Sequence, residues 1–403
     1  MGISASRGRA LFLVENLSVP MDRRVWQECL AIRDAGFEVH VVCPRGESQD
    51  TAPFEEIEGV SVHRYALKPA RGGPAGYFAE YLSASTKIAS TVRRLNADRP
   101  FRVIHAANPP DLLLLPVWPL KRKGVSLIFD HHDLVPELYL SRFGRGKDLL
   151  YRMTLFTEGL AFSAADVVIA TNESYRQIAL TRGKKRGEDV FVVRSAPDLA
   201  RFLPKQPDPT LRRGRRHLIV YLGTMGPQDG IDHALRALAE LRKERSDWHA
   251  IFVGSGDVFP EMTRLNEELG VDAEFTGRIP DDDLMRILSS ADVCLAPDPM
   301  NPLNDVSTMN KIVEYMAMSK PIVSYDLREA RASAGDAAVY AAPNNERSFA
   351  ACISELLDAP DRRDRMGAIG RARVDAELSW EHSKRNLVKA YERALGASLE
   401  LAV

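Results

Sequence analysis

The sequence of 403 residues lacks the features that mark several protein classes. It contains four cysteines, which lie far apart and form no Cys-x-x-Cys pair. Disulfide scaffolds and zinc ribbons depend on such pairs, so we expect reduced thiols in a reducing compartment. The formal net charge is −1, whereas nucleic-acid-binding domains usually carry a clear excess of basic residues. We therefore expect no nucleic-acid partner.

Long apolar runs are missing as well. The most apolar stretch, residues 112–120, contains two prolines and is far shorter than the ~20 residues that cross a bilayer. Residues 11–14 form too short an apolar core for a signal peptide. These absences predict a cytoplasmic protein without a membrane span. Two basic segments, residues 142–147 and 182–186, are compatible with peripheral contact with the anionic cytoplasmic face of the inner membrane.

The chain does contain a repeated alternation of apolar runs with stretches of helical periodicity. The apolar runs are rich in Val, Ile and Leu, and they predict strands that are buried on both faces of a parallel sheet. Examples are residues 10–14, 38–44, 217–222 and 249–253. The glycine-rich fingerprint of a dinucleotide fold is absent from the turn after the first of these strands. This absence argues against a nicotinamide-dependent enzyme.

Prolines and basic residues between positions 204 and 217 separate two such halves. The pattern therefore predicts an α/β protein with two doubly wound, Rossmann-like domains that face a cleft. The predicted domains are residues 1–200 and 201–375. A C-terminal helix within residues 376–403 is expected to pack back on the first domain.

Polar side chains follow the predicted strands of the first half, where carboxyl ends of strands line the ligand crevice of such folds. His131 and His132 point to alternate faces of a strand, so only one of them can face a ligand. Two adjacent histidines cannot chelate one metal ion from a strand, and no third ligand is close in sequence, so we expect no metal. The residues predicted to face the crevice are Asp22, Arg23, Arg24, Asn108, His131 and His132.

The second half contains glycine turns and a further candidate anion site. Gly223 and Gly254 follow strands, and glycine at such a turn lets the backbone approach a phosphate closely. Further along, Ser307 and Thr308 are predicted to cap a helix whose first turn carries Lys311. A helix N-terminus with free amides and a lysine favours anion binding.

With these motifs in view, the chain resembles glycosyltransferase family 4, whose members have the GT-B fold. Residues 307–323 (STMNKIVEYMAMSKPIV) are similar to the donor-binding helix of the family. Residues 129–133 (FDHHD) match as well, and residues 19–25 (VPMDRRV) resemble a subset of bacterial surface-polysaccharide transferases. The resemblance covers nearly the whole chain.

The resemblance implies a retaining transferase that uses no metal or other cofactor. It would move a sugar from a UDP- or GDP-linked donor to a saccharide or lipid-linked saccharide, in polysaccharide or glycoconjugate biosynthesis. Glu314 would hold the nucleotide ribose, and Arg278 and Ile279 would cup the base near Gly254. His132, with His131 as second choice, would lie beside the transferred sugar. The expected acceptor or sugar contacts are Asp22, Arg23, Arg24 and Asn108.

The sequence departs from the family pattern at three positions. The first glutamate of the family's pair falls at Val306, and the arginine and lysine that usually offset diphosphate charge fall at Thr224 and Asp229. Lys311 is the predicted replacement. Backbone amides are expected to supply the remaining contacts, at Gly223, Thr224, Met225, Ser307, Thr308, Met309 and Asn310. The departures leave two alternatives open: an inactive sugar-nucleotide-binding subunit, or a nucleotide-sugar epimerase of the same architecture.

Overall fold

The computed structural model describes residues 7–46, 49–67, 73–143, 146–197 and 199–397. No helix among these described residues is both long and apolar enough to cross a membrane. The chain divides into two compact units. The first unit comprises Met1–Leu140, Arg145–Arg194 and Ser383–Val403, and the second comprises Ser141–Gly144 and Ser195–His382.

The first unit is built on a largely parallel sheet. Its described strands are β1 (Arg9–Leu13), β2 (Glu38–Pro44), β3 (Phe54–Ile57), β4 (Val60–Tyr65), β5 (Val103–Ala107), β6 (Ser126–His131), β7 (Val167–Ala170) and β8 (Val190–Val192). They lie in the order β3-β4-β2-β1-β5-β6-β7-β8, and only the β3–β4 pair is antiparallel within this described sheet. The helices of this part of the chain are α1 (Arg23–Asp34), α2 (Gly73–Asp98), α3 (Val135–Phe143), α4 (Leu149–Ala164) and α5 (Glu173–Thr181).

Strand β1 forms where the sequence predicts it, and helix α1 follows. Every residue of β1 is buried, as expected for an apolar strand inside a parallel sheet. Asp22 caps α1, because its Oδ1 accepts a hydrogen bond from the Val25 amide at 3.1 Å. Strands β1, β5 and β6 are parallel, so the loops after them lie at the same carboxyl edge of the sheet, and the strand order changes direction there between β1 and β5. Ligands of doubly wound folds bind at such an edge.

The second unit has its own parallel sheet. Its described strands are β9 (His217–Leu222), β10 (Trp248–Val253), β11 (Glu274–Gly277), β12 (Val293–Ala296), β13 (Ile322–Tyr325) and β14 (Ala338–Ala341). They lie in the order β11-β10-β9-β12-β13-β14, so the order changes direction between β9 and β12. The helices of this part are α6 (Ile231–Glu244), α7 (Phe259–Glu268), α8 (Asp281–Ser290), α9 (Asn310–Ala317), α10 (Arg328–Ala334), α11 (Glu346–Leu357) and α12 (Pro360–Arg373). The predicted α/β class is confirmed in both units.

The predicted N-cap of α9, Ser307 or Thr308, was wrong by one or two residues. Met309 is the N-cap residue, and it makes no side-chain capping bond. The Ser307 hydroxyl instead donates to the Leu303 carbonyl at 2.8 Å, and the Thr308 hydroxyl lies 3.4 Å from Glu329 Oε2. A 3₁₀ turn over residues 304–306 comes before these residues, so their hydroxyls are directed to other partners.

The last helix, α13 (Trp380–Leu395), contacts the sheet of the first unit. The Ser126 hydroxyl donates to the Ala394 carbonyl at 2.6 Å, and Tyr391 Oη lies 3.1 Å from His105 Nδ1. These contacts join residues that are more than 250 positions apart in the chain.

Candidate functional site

Glycine turns of the second unit lie side by side at the carboxyl ends of β9, β10 and β11. The Gly254 amide donates to the Gly277 carbonyl at 3.0 Å. Gly254 has φ +129°, and a Cβ at this position would lie 1.8 Å from the carbonyl oxygen of Gly223. Only glycine permits this approach of one backbone to another. Arg278, which is exposed, and Ile279, which is half-buried, follow Gly277 directly. The predicted nucleotide residues of these turns are therefore neighbours.

The backbone amides of the β9 turn are mostly engaged within the protein. The Gly223 amide donates to the Val253 carbonyl at 3.1 Å, and the Met225 amide donates to the Ser255 carbonyl at 3.2 Å. The prediction that these two amides bind a ligand is therefore corrected. Thr224 lies between them and is exposed. Within the described part of the chain, its amide has no acceptor.

Lys311 lies directly beneath this turn. A Cβ at Gly223 would lie 3.1 Å from Lys311 Cε. The Lys311 ammonium is buried and lies 2.6 Å from Asp298 Oδ1 and 4.0 Å from Asp229 Oδ1. Burial raises the pKa of Asp229, and the charge of Lys311 opposes this rise. Lys311 therefore lies beside the turn, and the nearby Asp298 carboxylate offsets much of its charge.

The first turn of α9 contributes backbone donors next to this lysine. Asn310 and Lys311 are the first two residues of the helix, and amides at these positions have no acceptor inside a helix. Met309 precedes them as the N-cap residue. Glu314 is partly exposed and follows Lys311 by three residues, which places it one turn further along the helix.

Two buried tyrosines hold this arrangement in place. The Tyr315 hydroxyl accepts from the Leu222 amide at 2.7 Å and donates to the Leu295 carbonyl at 3.1 Å. These bonds attach α9 to the ends of β9 and β12. The Tyr221 hydroxyl donates to the Thr224 carbonyl at 2.7 Å. The tyrosine hydroxyl groups could have indicated this role from the sequence, because a buried tyrosine usually finds a hydrogen-bond partner.

In the first unit, Arg24 is held by acidic groups rather than directed at a ligand. Its guanidinium donates two hydrogen bonds to Asp130, at 2.8 and 3.0 Å, and lies 3.2 Å from Glu28. It also donates to the Val193 carbonyl at 3.0 Å. The predicted acceptor contact of Arg24 is therefore corrected to an internal, charge-assisted pair. Arg23 is exposed on the first turn of α1.

His132 is the more accessible of the two neighbouring histidines. Its Nδ1 lies 3.2 Å from Asp130 Oδ2, and 13% of its side chain is exposed. Burial alone would lower the pKa of His132, but the charge of Asp130 and the hydrogen bond to it raise that pKa to about 9. His131 is fully buried, and its Nε2 lies 3.1 Å from Glu158 Oε1. The preference for His132 over His131 therefore agrees with their burial.

A buried cluster that the sequence pattern missed lies behind His132. Glu28, His105 and Asp130 bring ligand-type atoms within 4.8 Å of one another, and no other group of three metal-binding residue types does so in the described chain. Both Glu28 oxygens lack a hydrogen-bond partner there, and burial followed by the charge of Asp130 raises the pKa of Glu28 to about 8. Arg24 already supplies a positive charge at both carboxylates, so the cluster fits a proton-sharing network better than a metal site.

Asn108 orders the loop that carries His132. Its Oδ1 accepts from the amides of His132 and Asp133 at 2.9 and 3.0 Å. Its Nδ2 donates to Asp111 Oδ1 at 2.8 Å and to the Asp133 carbonyl at 2.7 Å. The carboxamide uses its full hydrogen-bonding capacity inside the protein. The structure therefore gives Asn108 a positioning role, in place of the predicted contact with sugar or acceptor. Asp22 is likewise used as a helix cap.

Comparison with known families agrees with this architecture. The family model described as a glycosyl transferase 4-like domain matches residues 21–196, and the model described as glycosyl transferases group 1 matches residues 216–359. The first match falls largely on the first unit, and the second match lies within the second unit.

Curated relatives are distant. A GDP-mannose-dependent monoacylated alpha-(1-6)-phosphatidylinositol monomannoside mannosyltransferase of Corynebacterium glutamicum is 27% identical over 197 residues, which cover 46% of this chain and 52% of the relative. An MMP alpha-(1->4)-mannosyltransferase of Mycolicibacterium hassiacum is 28% identical over 213 residues, or 52% of this chain and 49% of the relative. The chain therefore spans about half the length of these relatives. A D-inositol 3-phosphate glycosyltransferase of Kineococcus radiotolerans is 23% identical over 391 residues, covering 89% of this chain and 87% of the relative.

Solved structures share the fold along nearly the whole chain. Sucrose-phosphate synthase from Thermosynechococcus elongatus superposes with a TM-score of 0.79 at 19% identity, covering 97% of this chain and 100% of that chain. Anabaena Alr3699/HepE in complex with UDP-glucose superposes with a TM-score of 0.70 at 16% identity, covering 96% and 100%. Given the two doubly wound units and the two family models, the chain belongs to the GT-B glycosyltransferases of the family 4-like type.

Proposed function

We propose that this chain is a retaining, metal-independent glycosyltransferase that acts on the cytoplasmic side of a membrane. Its donor is a UDP- or GDP-linked sugar, and its acceptor is a saccharide or lipid-linked saccharide in polysaccharide or glycoconjugate biosynthesis. The observation that carries the proposal is the position of Lys311 beneath the Gly223 turn, at the change of strand order in the second unit. The Corynebacterium glutamicum relative is GDP-mannose-dependent and the Anabaena structure contains UDP-glucose, which supports the donor class.

The diphosphate is expected at the turn after β9 and the start of α9. The available donors there are the amides of Thr224, Asn310 and Lys311, together with the Lys311 ammonium. The positive end of α9 points to the same place. Negative charge develops on the diphosphate as the sugar leaves, and preoriented donors stabilise it in the transition state. Glu314, one turn along α9, is assigned to the ribose.

The group of the first unit that we assign to the transferred sugar is His132. Asp130 engages its Nδ1, so Nε2 is the nitrogen that remains for a sugar hydroxyl. With its pKa at about 9, the ring is a charged hydrogen-bond donor at neutral pH rather than a base. This role orients the sugar and leaves the acceptor to attack on the face from which the diphosphate departs.

The pairing of Lys311 with Asp298 also favours a second candidate. If the neutralised lysine cannot replace the family's missing arginine and lysine, the chain is a sugar-nucleotide-binding subunit without transfer activity. Both candidates predict nucleotide binding, and only the first predicts turnover.

The test begins with purified protein and a panel of UDP- and GDP-sugars in a thermal-shift assay. A ligand at about 100 times its Kd adds about 2.7 kcal/mol to stability, which gives a clear shift in Tm. Release of UDP or GDP is then measured with saccharide and lipid-linked acceptors, and the anomeric configuration of the product is read by NMR. Glu314→Ala is expected to weaken binding, whereas Lys243→Ala, at the far end of α6, is the matched surface control. No shift with any nucleotide sugar would refute the donor site, and binding without turnover would select the second candidate.

A further inference from the structure

Helix α4 of the first unit exposes a stripe of large apolar side chains. Leu149 is 73% exposed, Met153 50% and Phe156 66%, and Leu150 adds a further 37%. Positions 149, 153 and 156 are separated by four and three residues, so they share one face of the helix. The opposite face packs inward, where residues such as Phe162 are fully buried. Single exposed apolar residues are common in proteins, but a continuous stripe on one helix indicates a binding surface.

The exposed charges beside this stripe are positive. Lys147 and Arg152 are both exposed. Asp148 is the only acidic residue between positions 146 and 157, and its carboxylate caps α4 by accepting from the Tyr151 amide at 3.0 Å. The next acidic residue, Glu158, is fully buried. An apolar face flanked by exposed basic residues complements an anionic surface.

A second exposed aromatic lies in a segment that contacts the C-terminal end of the same helix. Trp118 is 52% exposed and begins the 3₁₀ segment Trp118–Lys123, in which Arg122 and Lys123 are exposed as well. Lys121 of this segment donates to the Ala164 carbonyl at the C-terminal end of α4 at 2.9 Å. Tryptophan with neighbouring basic residues is typical of the headgroup region of a membrane.

We propose that the exposed face of α4, defined by Leu149, Leu150, Met153 and Phe156, binds the surface of a bilayer that contains anionic phospholipid. The apolar side chains enter the upper acyl region, and Lys147 and Arg152 contact headgroup phosphates. A second copy of the chain is a poorer occupant, because a symmetric contact through α4 would bring the basic rims of both copies together. This binding needs neither donor nor acceptor, so its test is independent of the proposed reaction.

The surface overlaps the two basic segments that the sequence indicated only at Lys147. Arg182 pairs with Glu137 and Glu158, each at 2.6 Å, and Lys185 donates to the Ala165 carbonyl at 2.8 Å. The segment 182–186 is therefore largely engaged within the first unit. In the segment 142–147, residues 144–145 lie outside the described residues, and Lys147 is the member that belongs to the α4 face.

The experiment is vesicle flotation of the full-length protein with two compositions: phosphatidylcholine alone, and phosphatidylcholine mixed with phosphatidylglycerol. Binding is expected only with the anionic vesicles. The double variant Leu149→Glu/Phe156→Glu is expected to lower the partition coefficient at least ~10-fold, which corresponds to about 1.4 kcal/mol. Lys147→Glu/Arg152→Glu is expected to lower it by a similar factor. Lys184→Glu, an exposed basic residue of the other segment, is the control and should change it less than ~2-fold.

The substituted residues are exposed, so the variants are expected to keep the wild-type Tm. If the double variant has a lower Tm, the milder Phe156→Ser variant is tested for vesicle binding in its place. Equal binding to both vesicle types, or anionic binding that the α4 variants leave unchanged, overturns the proposal. Sedimentation that reveals a dimer dissociated by Leu149→Glu/Phe156→Glu also overturns it, because the occupant would then be a second copy of the chain.

Discussion

Replacing Asp130 with asparagine is expected to remove the positive charge of His132 at neutral pH. In the wild-type protein, burial opposes that charge, while Asp130 raises the pKa of His132 to about 9. The ordinary value for histidine is ~6.5, and one pKa unit corresponds to about 1.4 kcal/mol. The environment therefore favours the imidazolium by about 3 kcal/mol. Without Asp130, burial and the nearby Arg24 charge both act against the imidazolium, so its pKa should fall below ~6.5.

The assay is an NMR titration of histidine-labelled protein, with the His132 signal assigned from a His132→Gln variant. A titration midpoint near 9 is expected for the wild-type protein. The matched control is Asp133→Asn, the same chemical change three residues further along the chain. Asp133 also raises the pKa of His132, but less than Asp130 does, so its removal should move the midpoint by a smaller amount. A wild-type midpoint near ~6.5, or an unchanged midpoint in Asp130→Asn, would refute the reasoning.

The same cluster makes stability depend on pH. The pKa of His132 is higher in the folded than in the unfolded protein, so its contribution is complete below ~6.5 and is lost as pH rises through about 9. Burial also raises the pKa of Glu28 to about 8, and the folded protein again holds the extra proton. The free energy of unfolding should therefore decrease as pH rises toward 9, and more gently in Asp130→Asn. Urea unfolding at several pH values measures this slope, and an increase would contradict it.

Three further changes test other parts of the site. Lys311→Ala leaves Asp298 as a buried unpaired charge, so it should destabilise the protein by about 3–5 kcal/mol in urea unfolding. The double variant Lys311→Met/Asp298→Asn should recover that stability, but it should not recover the nucleotide-induced Tm shift. If the double variant kept the full Tm shift, Lys311 would not contact the bound nucleotide sugar. Asn108→Ala removes a side chain that makes four hydrogen bonds, so it should lower the free energy of unfolding in urea by about 2 kcal/mol or more. A decrease below ~0.5 kcal/mol would show that water replaces these hydrogen bonds. Gly254→Ala brings a Cβ within 1.8 Å of the Gly223 carbonyl at a positive φ, so both the Tm and the nucleotide-induced shift should fall, and wild-type values would contradict the backbone contact.

The motifs that identify the family lie within short stretches of the chain, so they could be recognised from the sequence. Apolar runs such as 10–14 and 217–222 predicted strands correctly, because a strand of a parallel sheet that is covered on both faces is buried on both of its sides. The run 307–323 contains a helix, a turn and the start of a strand within seventeen positions, so interactions between near neighbours in the chain set most of its structure. The cap of α9 was nevertheless misplaced, because the Ser307 and Thr308 hydroxyls found partners that the local pattern does not reveal.

Several interactions of the site could not be predicted from the sequence, because they join residues that are far apart in the chain. Arg24 and Asp130 are 106 positions apart, and the arginine that seemed available for a ligand is held by that carboxylate. The amide of Gly223 was expected to bind a phosphate, yet the neighbouring strand β10 provides its acceptor. Sequence pattern indicates which residue types lie at a strand end, but not which of them satisfy one another.

By itself, the sequence determined the α/β class, the family and the helix that carries Lys311 and Glu314, since hydrophobic periodicity and short motifs act over a few residues. Only the tertiary structure decided that Asp298 shares the Lys311 charge, that Asp130 holds His132, and that α4 exposes an apolar stripe. All three depend on which side chains the fold buries, although Asp130 and His132 are only two positions apart. A buried charge must find a partner and an exposed face is one that nothing covers, and both conditions are set by the folded chain as a whole.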